Sequence, residues 1–461
     1  MLTGVLAVLG LVALFGYPGQ VSAAGADADA TEDMVRLERA LARLGDAPPV
    51  TDPRAGRPAA ARGEYNVMEF GAKGDGTTDD TEAFQKALNA AYFDGGGIVK
   101  APRGNFLIKT HLIIPSNVTL EGVWRKPQRG LNEQEKDGKP NVEPAGTTLL
   151  AVEGKGNPNG TPFITLCGKA TTDPLPEERV HKANATIAGI TVFYPEQIKA
   201  NPPHAYPWTI RGDGDDCGVL NVTLVNPYQA VDFGTKPCGR HYIDGLFAYP
   251  LFKGLYINAC FDVGRVNNIH CWPFWDIRPD SPLWEFTRQY GTAYIFGRTD
   301  GEMMSNCFSI FYNTSLHLIA GPIQVKPEDK ERKRPAVFEG QGGAGVFTNC
   351  YFDVSSCAVK VDETMRNAGV SFSNCVFMST VDISSKNRGP IKFVNCGFWG
   401  ISRITVSQAK VRGYGTTIFD SCQFSGWDQA RAGVPCIDAN GRQVIIQGCD
   451  FITDRWDQQK V

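Results

Sequence analysis

The sequence has little that would draw it to a polyanion. Lys and Arg number 46 against 49 Asp and Glu, a formal net charge of −3. The basic footprint that nucleic acid or an anionic membrane surface requires is therefore missing. Beyond the N-terminal segment no uninterrupted apolar run reaches transmembrane length. No CxxC pair occurs, which argues against a thiolate zinc site, and no residue is assigned as a metal ligand. What the chain does have is 50 glycines and 29 prolines. Between them lie many short Val/Ile/Phe-rich runs, the pattern of numerous brief strands joined by tight turns, so the fold class is all-β.

The first residues carry an apolar run from Val5 to Phe15, then Gly16 and Pro18, then small residues with Val21 and Ala23 at the −3 and −1 positions of a cleavage site. This reads as a signal peptide over 1–23, with a secreted or periplasmic mature protein. The n-region has no Lys or Arg, which keeps a membrane-retained anchor open. Met34, Leu37, Leu41 and Leu44 follow at helical spacing, then a Pro/Arg/Ala stretch. Residues 24–63 are thus a leader helix and linker, and 64–461 the main domain, with 64–117 as its N-terminal cap region.

The main domain repeats itself. Pro227, Pro250 and Pro273 close three similar tripeptides at intervals of 23, and Cys350, Cys375, Cys396, Cys422 and Cys449 recur at steps of 25, 21, 26 and 27, each followed two positions on by Phe. The first three are preceded by Asn. A unit of this length built from strands and turns is one rung of a solenoid. Phe then packs in an interior stack, Asn can bond along a turn ladder, and Cys307 joins the other five as small buried residues rather than cystines. Cys217, Cys238, Cys260, Cys271, Cys357 and Cys436 are less regular, and a Cys217 to Cys238 bridge stays open.

The run NVMEFGAKGDGTTDDTEAFQKALNAA, then GGGIVKAPRGNFLI, then IIPSNVTLEGV, spanning Asn66 to Val123, resembles the N-terminal signature of the pectate lyase superfamily. The branch is the rhamnogalacturonase/epimerase-like one, shared by glycosidases, lyases and phage tailspike depolymerases. The resemblance implies a right-handed parallel β-helix and a carbohydrate-active protein, without selecting a reaction. The paired-Asp, Gly-His-Gly and Arg-Ile-Lys motifs of polygalacturonases are not present as such, so that subfamily's catalytic set is not carried over. Asp75, Asp79, Asp80 and Glu82 crowd this motif, yet they read as architecture. Thr78, Asp79, Asp80 or Thr81 can cap a helix whose Ala83, Phe84, Ala87, Leu88 and Ala91 form an apolar face plugging the solenoid end.

Chemistry is expected downstream, between Phe261 and Asn306. Matching GLYINACFDVGRVNN with TAYIFGRTDGEMMSN places Asp262 over Asp300, 38 positions apart, as stacked carboxylates on adjacent rungs. One of the two would then carry a raised pKa suited to glycoside hydrolysis, unless Arg265 or Arg298 intervenes. Asp276 and Glu302 are the reserve acids, and His270, one of only six histidines, is an acid/base candidate. Trp272, Trp275 and Trp284 could form a sugar-stacking platform, with core packing as the competing reading. A Pro-rich insertion from Arg278 to Tyr290 would wall the cleft. Asp213, Asp215 and Asp216 read as a solvated turn, with a catalytic or calcium site as the alternative.

The function this implies is polysaccharide cleavage by a glycoside hydrolase or a polysaccharide lyase. The alternative is a non-catalytic glycan-binding or tailspike-like β-helix, for which a homotrimer is an option. No cofactor is demanded, although calcium would enter if the enzyme is a lyase. The expected partner is a polysaccharide, not nucleic acid, and not a membrane once the signal is cleaved.

Overall fold

The computed structural model of the chain describes residues 63–127, 146–168, 182–278, 280–321, 342–400, 407–429, 431, 433–440 and 442–452. The signal peptide expected over 1–23 and the leader segment up to residue 62 lie outside the described residues.

Each rung passes through up to three short strands, and rungs stack in parallel register to give the three faces of a parallel β-helix. The first face runs from Glu64–Asn66 to Val444–Gln447, the second from Asp75–Asp79 to Asp450–Ile452, and the third from Leu112–Pro115 to Ile437–Asp438. Alternation sorts the side chains. In Val118–Glu121, Val118 and Leu120 point inward and are fully buried while Thr119 and Glu121 face out, the period-two signature of a strand with one face in a core. Three strands are long enough to serve the first and second faces at once: Gly218–Leu224, Tyr242–Ala248 and Arg265–Cys271.

The repeated Asn-Cys-x-Phe unit turns the corner from first face to second. Asn306, Asn349, Asn374 and Asn395 all have φ between 51 and 56°, the left-handed region that asparagine tolerates better than other non-glycine residues. The amides connect rung to rung, Asn395 Nδ2 donating to Asn374 Oδ1 at 2.7 Å and Asn349 Nδ2 to Asn306 Oδ1 at 3.3 Å. Inside the corner, Phe352, Phe377, Phe398, Phe424 and Phe451 form one stack, with centroids 4.5 to 5.7 Å apart. Phe347, Phe372, Phe393 and Phe419 form a second, nearly coplanar where Phe393 meets its neighbours at 7 and 8°. The cysteines fill the space beside them. All thirteen are free thiols, and Cys217 Sγ lies 3.3 Å from Cys167 Sγ, so no Cys217 to Cys238 bridge forms.

The N-terminal end is closed by helix α1, Thr81–Phe93, whose buried residues are Ala83, Phe84, Ala87, Leu88 and Ala91. It also occupies the exposed edge of the third face. The Gln85 side chain donates to Ile113 O at 3.0 Å and accepts from Ile113 N at 2.9 Å, doing for the first strand what a neighbouring strand would otherwise do. The acid cluster is architectural, though its capping differs in detail from the sequence reading. Asp80 stands at the N-cap but its buried carboxylate turns back to accept from Lys73 N and Gly74 N, while Asp79 accepts from the Thr81 amide and hydroxyl. Asp75 closes its own turn, accepting from both the amides and the hydroxyls of Thr77 and Thr78. Those donors hold its carboxyl well below the ordinary carboxylate range, the Thr78 amide first.

Candidate functional site

The side chains grouped by the sequence reading are divided by the fold among different corners. The insertion does exist, but it folds as helix α2, Pro282–Tyr290, capped by Ser281 Oγ on Leu283 N. It follows the second-face strand Arg265–Cys271 and precedes the third-face strand Thr292–Phe296, which puts it at the corner between those faces. There it covers an outer apolar cluster of Phe193, Val225, Tyr249, Leu251, Phe274, Trp275 and Leu283. Trp275 is buried in that cluster, Trp272 packs at its edge, and Trp284 stacks on Phe311 with its Nε1 donating to Asp276 O. Trp275 is closed to a sugar, while Trp272 and Trp284 are half-buried and held in these separate contacts, so the three do not form one open platform. Asp276 is likewise fully buried, its carboxylate gripped by Arg278 at 2.9 and 3.0 Å and by Ser281 Oγ at 2.6 Å. Burial opposes its ionisation, but these donors prevail and leave its pKa lowered. It organises the insertion.

Asp262 and Asp300 stand at another corner, where the third face turns into the first. Their expected stacking is disturbed by a register change. Cys260 aligns with Thr299, 39 positions on, whereas Arg265 aligns with Met303, 38 positions on, and the one-residue slip falls on the two acids. Each turns to an arginine instead. Asp262, 53% exposed, lies 3.5 Å from Arg240 Nη1, and Asp300 pairs with Arg298 Nη2 at 2.5 Å. The Val263 amide and then Arg240 hold the Asp262 carboxyl low rather than raising it, so Asp262 is not the raised acid of a hydrolytic pair. Glu302 points inward, 1% exposed, against His241, and no substrate reaches it. His270 faces outward on the second face, sandwiched between Phe247 and Phe308 at 5.5 and 4.7 Å, and burial lowers its pKa.

An exposed polar patch survives this sorting. Arg240, in the left-handed conformation at φ 51°, sends Nε and Nη2 to the two Asp216 oxygens at 2.9 and 2.7 Å, with Asp215 at 3.6 Å and Asp262 at 3.5 Å. A fork of this kind fixes a carboxylate in orientation as well as place. Asp213 pairs instead with Lys182 at 3.3 Å. Immediately beyond the turn, Tyr242 and Asp244 point out from the first face, with Arg265 and Asn267 directly opposite them on the next rung. The Tyr242 hydroxyl donates to Asp244 Oδ2 at 3.1 Å, and Asn267 Nδ2 donates to Asp244 Oδ1 at 3.0 Å. Ser305 and Asn306 in turn both donate to Asn267 Oδ1, at 3.0 and 2.9 Å. The Asp244 hydrogen bond raises the Tyr242 pKa, keeping the phenol protonated. Arg265 is exposed, and its one hydrogen bond among the described residues is a long one, Nη1 to Val263 O at 3.5 Å. Arg240, Tyr242, Asp244 and Asn267 were missed by the sequence reading, although the HYID stretch carries the outward alternation that could have exposed two of them.

The fold is a parallel β-helix, and the N-terminal part of the sequence is similar to pectate lyase-like proteins. Residues 65–134 match the family model described as rhamnogalacturonase A/epimerase, pectate lyase-like. The chain is 50% identical over 66 residues to alginate lyase 7 of Azotobacter vinelandii, covering 13% of this chain and 8% of that protein. It is 46% identical over 66 residues to the mannuronan C5-epimerase AlgE5 of the same organism, again 13% of this chain and 7% of the other. The chain thus spans less than a tenth of the length of these relatives. Among solved structures, the A-module of the A. vinelandii mannuronan C-5 epimerase AlgE6 matches with a TM-score of 0.44 and 12% identity, over 85% of this chain and all of that one. DFA-IIIase from Arthrobacter chlorophenolicus matches with a TM-score of 0.46 and 10% identity, over 87% and 86%. These structural likenesses concern the fold alone.

Proposed function

We propose that the protein is a carbohydrate-active enzyme that cleaves an acidic polysaccharide by β-elimination at the outward patch of the first face. One observation carries this: a protonated tyrosine, Tyr242, is held by Asp244 directly opposite an exposed guanidinium, Arg265. The naming of matched relatives as alginate lyase and mannuronan C5-epimerase supports a uronate-containing substrate. In elimination a base takes the proton from the carbon beside the uronate carboxylate. The C–H electrons become the new C=C bond, the bond to the leaving oxygen breaks, and that oxygen takes up a proton. The carboxylate must be neutralised for its neighbouring proton to become acidic, and Arg265 is placed to do so. Tyr242 holds a proton for the leaving oxygen, and the carboxylates of the patch, Asp244 and Asp262, are the bases on offer. Hydrolysis is favoured less, because the Val263 amide and Arg240 hold the Asp262 carboxyl low, the opposite of what a hydrolytic acid needs.

The test is to incubate the purified chain with alginate, polygalacturonate and a neutral glucan, following reducing ends and the ultraviolet absorbance of unsaturated ends. Both signals should rise on a uronate polymer. Reducing ends alone would mean hydrolysis. Binding without either product would replace this reading with a non-catalytic glycan-binding or tailspike-like β-helix.

A further inference from the structure

Beneath the exposed patch three residues from successive rungs point into the solenoid: His241 at the start of Tyr242–Ala248, Cys260 at the following corner, and Glu302 at the start of Glu302–Ser305. All are buried, and a nitrogen, a sulfur and an oxygen from them lie within 4.8 Å of one another. His241 Nδ1 is 2.9 Å from Cys238 O. A carbonyl can only accept, so Nδ1 donates to it, and Nε2 faces Glu302 Oε1 at 3.0 Å in an ion pair whose bridging proton a metal ion would displace. The Nδ1 bond to the carbonyl is the outer hydrogen bond that orients metal-ligating histidines. Cys260 Sγ sits 2.7 Å from Asp262 O. Glu302 Oε2, equally buried, has no hydrogen-bond partner among the described residues. A carboxylate oxygen left so is costly unless something positive meets it.

Gly264 packs directly against this cluster. At Gly264 a Cβ would lie 2.3 Å from His241 Cε1 and 2.6 Å from Glu302 Oε2, so only glycine lets the three donors come this close beneath the backbone. We propose that His241, Cys260 and Glu302 form a buried structural site for a divalent transition metal of the zinc type, with both Glu302 oxygens serving as ligands. Nitrogen, sulfur and a chelating carboxylate complete four-coordination, and bonds of about 2.0 to 2.3 Å imply separations of roughly 3.3 to 3.8 Å among the nitrogen, the sulfur and the nearer carboxylate oxygen. Side-chain adjustments on the order of 1 Å close the present cluster to that size. Thiolate, carboxylate and neutral imidazole supply two negative charges, which a divalent ion cancels inside the core. The donor set selects zinc or cobalt over calcium and magnesium, which prefer oxygen alone. The ion would pin three rungs together directly under Tyr242 and Arg265.

The experiment uses the full chain, stripped of metal with a chelator and titrated separately with zinc and cobalt. The expected result is one tightly bound equivalent, a thiolate-to-cobalt charge-transfer band, and a higher melting temperature with zinc than without. Cys260→Ser should abolish that band, while Cys396→Ser, which removes a buried thiol from the regular ladder, should leave it intact. Should Cys260→Ser fail to fold, X-ray absorption on the zinc-loaded wild type decides, with one sulfur and the remaining ligands nitrogen or oxygen expected. Absence of stoichiometric binding, a sulfur count of zero or at least two, or a band that persists in Cys260→Ser would each overturn the proposal.

Discussion

Two stretches of the same solenoid differ in how they spend their corners. From Gly345 to Ile452 nearly every rung repeats one solution: a left-handed residue, a buried thiol and a stacked phenylalanine. From Lys182 to Ser305 it is another corner that stands out, where the third face turns into the first, and it holds Arg240 with its acids, Lys182 with Asp213, Arg298 with Asp300 and the buried His241 with Glu302. Stacked coils repeat a residue when it interacts best with its own copy above and below, as aromatic rings and amides do. Charged groups repel their copies, so a run of ionisable side chains in a solenoid has to break the repeat and pair across rungs with the opposite sign. Irregularity in the middle rungs is therefore where chemistry is concentrated, while regularity marks the part that holds the stack together.

The comparison breaks most visibly if the regular rungs are not cooperative. Phe393 stands 5.1 Å from both Phe372 and Phe419, and Phe393→Ala should cost about 3–5 kcal/mol from lost burial plus a cavity that fixed neighbours cannot fill. Denaturant unfolding measures this, and a loss under about 1 kcal/mol would mean that the ladder is not a continuous core. In the middle rungs the effect should fall on activity. Tyr242→Phe and Arg265→Ala are each expected to slow polysaccharide cleavage by about 10²–10⁴-fold with little change in melting temperature. Asp276→Asn should do the reverse, loosening α2 and lowering the melting temperature while turnover persists. If Asp276→Asn abolished turnover in a folded protein, the division of corners argued here would be wrong.

The sequence made one of these stretches readable and hid the other, for a physical reason. Phe and Cys recur at nearly fixed steps because their partners are their own copies one rung away, so position along the chain reports position in space. The face of α1 was legible for the same reason: Ala83, Phe84, Ala87, Leu88 and Ala91 follow helical spacing. The middle rungs offer no such repetition. Asp262 and Asp300 share a spacing of 38 with the first-face strands that follow, but the third-face strands are offset by 39, as Leu255 over Tyr294 shows. A slip of one residue is enough to turn a side chain to the other side of a strand. The Asp276 and tryptophan candidates lie within thirty positions of Asp262 in sequence, yet a single strand carries the chain to another corner. His241, Cys260 and Glu302 are separated by 19 and 42 positions, a pattern that no short metal motif describes.

A smaller effect is expected where the ladder meets solvent. Asn395 combines φ 51° with an amide bond to Asn374. Replacing it with alanine should cost about 1–2 kcal/mol, since the left-handed backbone becomes strained and a hydrogen bond is lost. Asn395→Gly separates the two contributions, because glycine removes the amide without the strain. If glycine and alanine were equally destabilising, the amide ladder rather than the backbone would be responsible for the repeated asparagine. If neither had an effect, the repetition would have no energetic basis at this corner.

The smallest effect concerns the opening acid cluster and is best read through pH. Asp75 is held below the ordinary carboxylate range by the Thr78 and Thr77 amides and then the Thr78 hydroxyl. Its unfolded value is about 3.9. A group whose folded pKa is depressed contributes stability that is complete above the unfolded value and is lost as pH falls through the folded one. Asp75→Asn keeps one acceptor oxygen but no charge, so it should be less stable than wild type at neutral pH. The gap should narrow as the solution is acidified below about 3.9, where the unfolded wild type takes up a proton that the folded protein resists. Thermal melts of both proteins across that range would show the convergence. A constant offset at every pH would mean that the turn is held by the shape of the side chain alone, and that the charge on this first-rung aspartate contributes nothing to closing the end of the solenoid.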